Sequence, residues 1–178
     1  VFLSRLRNSS IDQIFGILMV FTACVMAFAH GSNDTANAVG PVAAVFSTVM
    51  NEGVSTEAAV SVWLLLGGGI GIVLGLAMWG YRVIQTIGKE ITKLTPTSGF
   101  AAELAAATTV VIASGNAMPI STTHTLVGAV FGVGLAMSIK DLDFKVVGKI
   151  VASWLTTVPA GAILSMIFLT LFRYLFQI

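Results

Sequence analysis

The 178-residue sequence is 56% hydrophobic and only 10% charged, whereas a soluble domain carries about 25% charged residues. This composition excludes an ordinary soluble domain; the net charge of +1 says nothing about nucleic acid, and no nucleic-acid partner is expected. Three uncharged stretches of 21, 24 and 23 residues end at positions 33, 81 and 172. A membrane-spanning helix needs about 20 apolar residues, and a β-barrel would show short alternating segments instead. The sequence therefore predicts an all-α integral membrane protein.

The first half of the chain predicts one full helix, one short helix and then a second full helix. The first covers about 11–29 and opens after Ser9 and Ser10, with Asp12 in its first turn. A polar break at 28–41 interrupts it, and the apolar segment 38–50 would span only about 20 Å, which is a half-helix. The next helix covers about 57–81, and its GGGIG run at 67–71 predicts a face against which a neighbouring helix packs closely.

The second half predicts a re-entrant helical hairpin followed by a last helix. An uncharged run of 36 residues, 104–139, is too long for one helix and is interrupted by SGNAMPIS at 114–121. Gly115 frees the backbone there, and Pro119 suits the start of a following helix. We expect half-helices over about 99–113 and 121–138, then a helix over about 144–171. Residues 1–178 are expected to form a single membrane domain with interrupted helices.

The basic residues support this layout. If the 99–138 hairpin enters and leaves on one side, and 38–50 dips back without crossing, eight of the nine Lys and Arg residues share one face. An excess of Lys and Arg marks the cytoplasmic side, so the distribution favours re-entrant segments. The eight are Arg5, Arg7, Arg82, Lys89, Lys93, Lys140, Lys145 and Lys149, and the ninth is Arg173.

The stretch FAHGSNDTANAVGP at 28–41 predicts a cation site. An acid such as Asp34 inside a membrane is costly, so its presence favours a function. Asn33 and Asn37 are four residues apart on one helical face, and Asp34 lies within the same turn. Carboxylate and carboxamide oxygens suit a hard cation such as sodium, or a proton can bind the carboxylate. The alternative is that Asp34 only caps the short helix.

The stretch PISTTH at 119–124 predicts an anion site. A helix N-terminus presents free N–H groups and a partial positive charge, and Ser121, Thr122 and Thr123 add neutral donors. This combination suits phosphate or sulfate, and we include Asn116 from the break among the expected phosphate ligands. The alternative is ordinary capping after a proline.

Three further groups allow more than one reading. Glu103 lies among alanines and is either a cation-coupling carboxylate or a first-turn acid near the membrane interface. His30 and His124 are either proton carriers or packing residues. Ser121 and His124, three residues apart, also allow an intramembrane hydrolase, although the sequence shows no third group that orients the histidine.

Together, GSNDTANAVGP, PTSGFAAE and PISTTHTLVGAVFGVG resemble the inorganic phosphate transporter (PiT) family. The order and spacing match its G-x-N-D-x-A-N signature and its following P-[IV]-S-T-T-H block. The resemblance covers roughly residues 20–170. It implies a fold of two inverted repeats, each of which gives one signature and one hairpin to a central site.

The resemblance also implies an activity and roles for single residues. Members move inorganic phosphate together with sodium or protons, and a few relatives carry sulfate. By resemblance, Asp34 and Asn37 would hold the cation, whereas Ser121, Thr122 and Thr123 would hold phosphate. Glu103 matches a family acid that is implicated in phosphate uptake.

One signature copy is present, which resembles the carboxy-terminal repeat of a bacterial-type member. We therefore expect half of a secondary transporter, which works with a missing repeat or a homo-oligomer. It is expected to lie in the plasma (inner) membrane and to have neither enzyme activity nor a cofactor besides the transported ion. The alternatives are a sulfate permease of the same fold, a passive anion channel and the intramembrane hydrolase.

Overall fold

The computed structural model describes residues 2–51 and 60–176, and within them the side chains of 11–50, 60–140 and 142–176. All elements in these ranges are helical: α1 (Phe2–Asn51), α2 (Val62–Gln85), α3 (Pro96–Gly115), α4 (Thr122–Met137) and α5 (Phe144–Phe176). A π-helical turn at Thr86–Glu90 extends α2, and a short 3₁₀ turn at Ile139–Asp141 follows α4. The predicted all-α fold class is thus confirmed.

The chain divides into two compact units, Val1–Leu142 with α1 to α4 and Asp143–Ile178 with α5. Helix α5 begins at the predicted residue and extends beyond the predicted end at 171. It carries Pro159 in its interior, and none of its residues is buried within the structure. The four helices α1, α2, α3 and α5 contain segments long and apolar enough to cross a membrane, whereas α4, with 16 residues, is shorter.

Helix α1 is continuous through the polar stretch, so the predicted interruption at 28–41 is wrong. It covers 50 residues and includes both the expected helix over 11–29 and the expected half-helix over 38–50. The helix also begins nine residues before the predicted start at 11. Its polar side chains pair along the helix, His30 with Asp34 and Asn33 with Asn37, and these i, i+4 pairs support helical backbone.

The continuity of α1 changes the predicted membrane layout. Pro41 lies inside the helix, where neighbouring helices in a membrane protein can compensate for its missing N–H group. Because the backbone does not turn at the signature, 38–50 is not a separate segment that dips back. The placement of eight basic residues on one face assumed both a re-entrant hairpin at 99–138 and a segment at 38–50 that dips back. The second assumption is wrong, and the first stays a prediction.

Helices α1 and α3 pack side by side in parallel. Thr22 hydrogen-bonds Glu103, and Asn33 hydrogen-bonds Ser114, so the sequence offset is 81 residues in both pairs. The two contacts are 11 residues apart on each helix, about three turns, which places them on the same face. Along this contact α3 presents buried apolar residues, most of them small, which allow close approach: Ala102, Ala106, Ala107, Val110 and Ala113.

The predicted packing role of the GGGIG run is carried by Gly68. Helix α2 begins at Val62, after the N-cap Ser61, and the predicted start at 57 lies outside the described residues. A Cβ atom on Gly68 would lie 2.6 Å from Val39 Cγ2 of α1, whereas Gly67, Gly69 and Gly71 have open space at that position. Gly68 therefore fixes where α2 passes the signature segment of α1.

Helices α3 and α4 form the predicted hairpin, although α3 is longer than a half-helix. It starts at Pro96 after a Thr95–Ser98 capping box and contains 20 residues, enough to cross a membrane. Its end is a Schellman motif, in which Met118 N–H donates to Ala113 O and Ala117 N–H to Ser114 O. Ala117 takes the left-handed position, with φ of 54°, that glycine usually occupies.

Candidate functional site

The central contact of the site joins the signature on α1 to the first turn of α4. Thr122 is buried, and its hydroxyl lies 3.1 Å from each carboxylate oxygen of Asp34. On the other side of the carboxylate, His30 Nε2 lies 2.8 Å from Asp34 Oδ2. Asp34 thus has two partners within the protein, Thr122 and His30, and about one third of its side chain remains exposed. A carboxylate in this setting can accept a cation or a proton.

The two signature asparagines hold the hairpin turn against α1. Asn33 is buried and donates from Nδ2 to Ser114 Oγ at 2.9 Å. Asn37 donates from Nδ2 to Asn33 Oδ1 at 2.8 Å and to the Ile120 carbonyl at 3.0 Å. The amide donors of both side chains are therefore engaged in structure. If these asparagines bind a cation as predicted, they must do so through their carboxamide oxygens. The carboxamide oxygen of Asn33 already accepts a hydrogen bond from Asn37.

A cavity of about 550 Å³ lies beside these asparagines. Signature residues of α1 form one wall, and the hairpin turn forms the other. Pro41, which also lines it, cannot donate to the Asn37 carbonyl four residues earlier, so that carbonyl lacks its normal helical partner. The complete lining is Ser32, Asn33, Ala36, Asn37, Gly40, Pro41, Ser114, Ala117, Met118 and Pro119.

The three hydroxyls expected to bind phosphate point to different partners. Ser121 is the N-cap of α4, where its Oγ accepts from the backbone N–H of His124 at 3.3 Å and lies 2.6 Å from His124 Nδ1. Thr122 contacts Asp34, as described above. Thr123 is exposed and lines a second cavity of about 360 Å³. Ser121, Thr122 and the first-turn N–H of His124 thus have partners within the protein, and the phosphate contacts of the three hydroxyls stay predictions.

Asn116 has a structural role at the start of the hairpin turn, where α3 ends. It is the C-cap of α3, and its side-chain Nδ2 donates to the Ile112 carbonyl at 2.7 Å. This bond satisfies one of the carbonyls that a helix end leaves unpaired. Asn116 is exposed and does not line the cavity beside the asparagines. Its predicted contact with phosphate remains a prediction.

Glu103 lies apart from Asp34 but opens onto the same cavity as the α4 N-terminus. Its Oε2 accepts a hydrogen bond of 2.7 Å from Thr22, twelve residues before Asp34 on α1. The second cavity, of about 360 Å³, is lined by Glu103 together with His30, Thr122 and Thr123. Asp34 itself does not line this cavity, but two residues that contact it, His30 and Thr122, do.

Sequence reasoning missed the partners contributed by distant parts of the chain. Thr22 is a lone hydroxyl in an apolar helix, and Ser114 was seen only as part of the break. Neither position carries a local signal that names its partner 81 residues away. Among the described residues, no cluster of three or more His, Cys, Asp or Glu side chains could hold a metal ion.

Four apolar helices with a polar cluster between α1 and a helical hairpin define an integral membrane protein with an internal polar site. The sequence profile of the phosphate transporter family matches residues 4–165, and the chain belongs to this family. The resemblance that the three motifs indicated is thus confirmed.

Proteins of known name and structure support this assignment. Inorganic phosphate transporter 2-1, chloroplastic, of Arabidopsis thaliana is 54% identical over 161 residues, which cover 89% of this chain and 27% of that protein. A Haemophilus influenzae protein that carries the name phosphate permease is 49% identical over 170 residues, 94% of this chain and 40% of its own length. The chain therefore spans about a quarter to two fifths of these relatives.

A solved structure named "The sodium-dependent phosphate transporter" has the same fold. It matches with a TM-score of 0.75 and 43% identity, over 85% of this chain and 38% of that one. This similarity agrees with the all-α architecture and leaves the depth of the hairpin in the membrane as a prediction.

Proposed function

We propose that this chain provides half of a secondary active transporter that moves inorganic phosphate across a membrane together with sodium or protons. The observation that supports the proposal is the contact between Asp34 and Thr122, because it joins the carboxylate that we assign to the cation to the first turn of α4. Membership of the phosphate transporter family supports the choice of phosphate. The sodium-dependent name of the structural neighbour favours sodium as the coupling ion.

The arrangement explains why a cation would assist an anion. Phosphate at the first turn of α4 would lie near the Asp34 carboxylate, and the two negative charges would repel each other. A sodium ion or proton on Asp34 cancels that repulsion, so binding of the cation favours binding of phosphate. We assign Asp34 and Glu103 to the cation, with Asn33 and Asn37 in support. We assign Ser121, Thr122, Thr123 and Asn116 to phosphate.

The proposal includes a second unit of the same kind. The chain covers 27% to 40% of the curated relatives described above. A second repeat, or a second copy of this chain, would complete the site, and movement of one unit against the other would expose it to each side in turn. We place the protein in the plasma (inner) membrane, with lipid around its apolar helices.

Uptake of labelled phosphate into proteoliposomes tests this function. The complete gene product is reconstituted, and uptake is measured under a sodium gradient, a proton gradient and no gradient. Phosphate accumulation under one of the two gradients supports the proposal and identifies the coupling ion. Uptake that only equilibrates phosphate would indicate a passive channel, and selective competition by sulfate would indicate a sulfate permease.

A further inference from the structure

Thr22 is a buried hydroxyl that contacts an acid from another helix. Its side chain is 3% exposed, and its Oγ1 lies 2.7 Å from Glu103 Oε2 and 3.0 Å from the carbonyl of Met19. Among the described residues, Thr22 is the only hydrogen-bond partner of the Glu103 side chain. A distance of 2.7 Å is typical of a strong bond between a hydroxyl and a carboxylate.

A hydroxyl suits this position whether Glu103 is ionised or protonated. A threonine hydroxyl has one donor and two acceptor sites. When Glu103 is ionised, Thr22 donates to Oε2. When Glu103 is protonated, the carboxyl group can donate to Thr22, whose own proton then goes to the Met19 carbonyl. Thr22 can therefore hold the Glu103 side chain in one place through a change of charge.

Glu103 lines two cavities, so the orientation of its side chain decides which of them the carboxylate faces. The cavity of about 360 Å³ is lined by His30, its other titratable side chain, and by Thr122 and Thr123. The cavity of about 230 Å³ is lined mainly by apolar side chains, Met19 among them, and by Gly99. Helix α2 contributes only apolar groups and glycine to both linings.

We propose that Thr22 is a positioning residue, which fixes the Glu103 carboxylate at the junction of the two cavities for the coupling cation. The inference rests on the proposed function, in which Glu103 takes part in cation coupling. Thr22 anchors one carboxylate oxygen through α1, and the other oxygen remains for the cation. Without the hydroxyl, the Glu103 side chain is free to take other rotamers, and binding of the cation must order it. The apparent affinity for the cation therefore falls.

The test compares Thr22→Val with Thr22→Ser in the complete gene product. Valine keeps the shape of threonine and removes the hydroxyl, whereas serine keeps the hydroxyl. In phosphate uptake by proteoliposomes, we expect Thr22→Val to raise the half-maximal concentration of the driving cation about tenfold, as loss of a hydrogen bond to a charged group implies. The maximal rate per folded protein should change less than about twofold by the same reasoning, and Thr22→Ser should restore the wild-type value.

Thr48→Val is the matched control. Thr48 lies on the same helix, is exposed, and donates only to the Ala44 carbonyl of its own helix. This variant should keep the wild-type cation dependence. Glu103→Gln and the double variant Thr22→Val/Glu103→Gln should show equal cation dependence, because a positioning residue has no effect once its carboxylate is gone.

Three outcomes would overturn the inference. Thr22→Val with an unchanged cation dependence would show that the hydroxyl does not position Glu103. Additive effects of Thr22→Val and Glu103→Gln would show that Thr22 acts only on the stability of the helix pair. Absence of phosphate uptake by the wild type would overturn the proposed function and this inference with it. If the wild type does take up phosphate, an unchanged Thr22→Val variant refutes only the role of Thr22.

Discussion

Gly68 gives the sharpest test of how α2 packs against the signature helix. In Gly68→Ala, the new methyl carbon would lie 2.6 Å from Val39 Cγ2, whereas carbon atoms in contact are about 3.5–4.0 Å apart. The two helices must therefore separate by about 1 Å at this point. Val39 is buried and, as a β-branched residue in a helix, has essentially one rotamer, so it cannot turn away.

The magnitude follows from two opposing effects. Overpacking of this kind costs about 1–3 kcal/mol. Replacing glycine by alanine within a helix stabilises it by about 1 kcal/mol, which partly hides the cost. Gly69→Ala is the matched control, because Gly69 is equally half-buried and has open space where the methyl group would be. The difference between the two variants therefore isolates the clash, at about 1–3 kcal/mol.

Unfolding of the purified complete gene product in detergent, followed by circular dichroism against denaturant, measures this difference. We expect Gly68→Ala to be less stable than Gly69→Ala by that amount. Adding Val39→Ala to Gly68→Ala removes the opposing methyl group and should recover part of the loss. Equal stability of Gly68→Ala and Gly69→Ala, within about 0.5 kcal/mol, would refute the packing described here.

Three other predictions address the hairpin and the site. Ala117→Gly should stabilise the protein by about 1 kcal/mol in the same unfolding assay, because glycine adopts the left-handed backbone without strain; a loss of stability would contradict the turn geometry. Asn33→Leu should free the hairpin turn from α1 and speed proteolysis at 114–121. Asn116→Leu removes only a local bond to Ile112 and should not speed it. Equal cleavage of the two variants would argue against the Asn33–Ser114 contact. A serine-reactive fluorophosphonate should leave Ser121 unlabelled by mass spectrometry, because this hydroxyl caps α4, and specific labelling would favour a hydrolase.

The sequence located polar residues that meet in the structure, but it did not predict the path of the backbone through them. Asp34 was chosen as an acid in an apolar stretch, and Thr122 and Thr123 as hydroxyls at a helix start after a proline. The structure brings Asp34 and Thr122 into contact, and the binding roles of all three stay predictions. The same polar groups at 30–37 were wrongly taken to end a helix. They pair four residues apart along α1 and with α3 and α4, and those partners could not be read from the local sequence.

The hairpin shows the opposite case. Gly115 and Pro119 are strong local signals, so the turn was placed correctly and the two helix limits were wrong by only a few residues. The roles of its side chains were harder to predict. Ser121 and Asn116 cap helix ends, and Ser114 binds Asn33, because the ends of helices need partners before any ligand arrives.

The most direct test of cation-coupled phosphate transport is uptake by the complete gene product with Asp34→Asn and Thr122→Val beside the wild type. Labelled phosphate uptake is measured in proteoliposomes over a series of concentrations of the driving cation. We predict that Asp34→Asn abolishes the dependence on the cation, and that Thr122→Val weakens it about tenfold, since a hydrogen bond to Asp34 is lost. Uptake by Asp34→Asn with the cation dependence of the wild type would contradict the account.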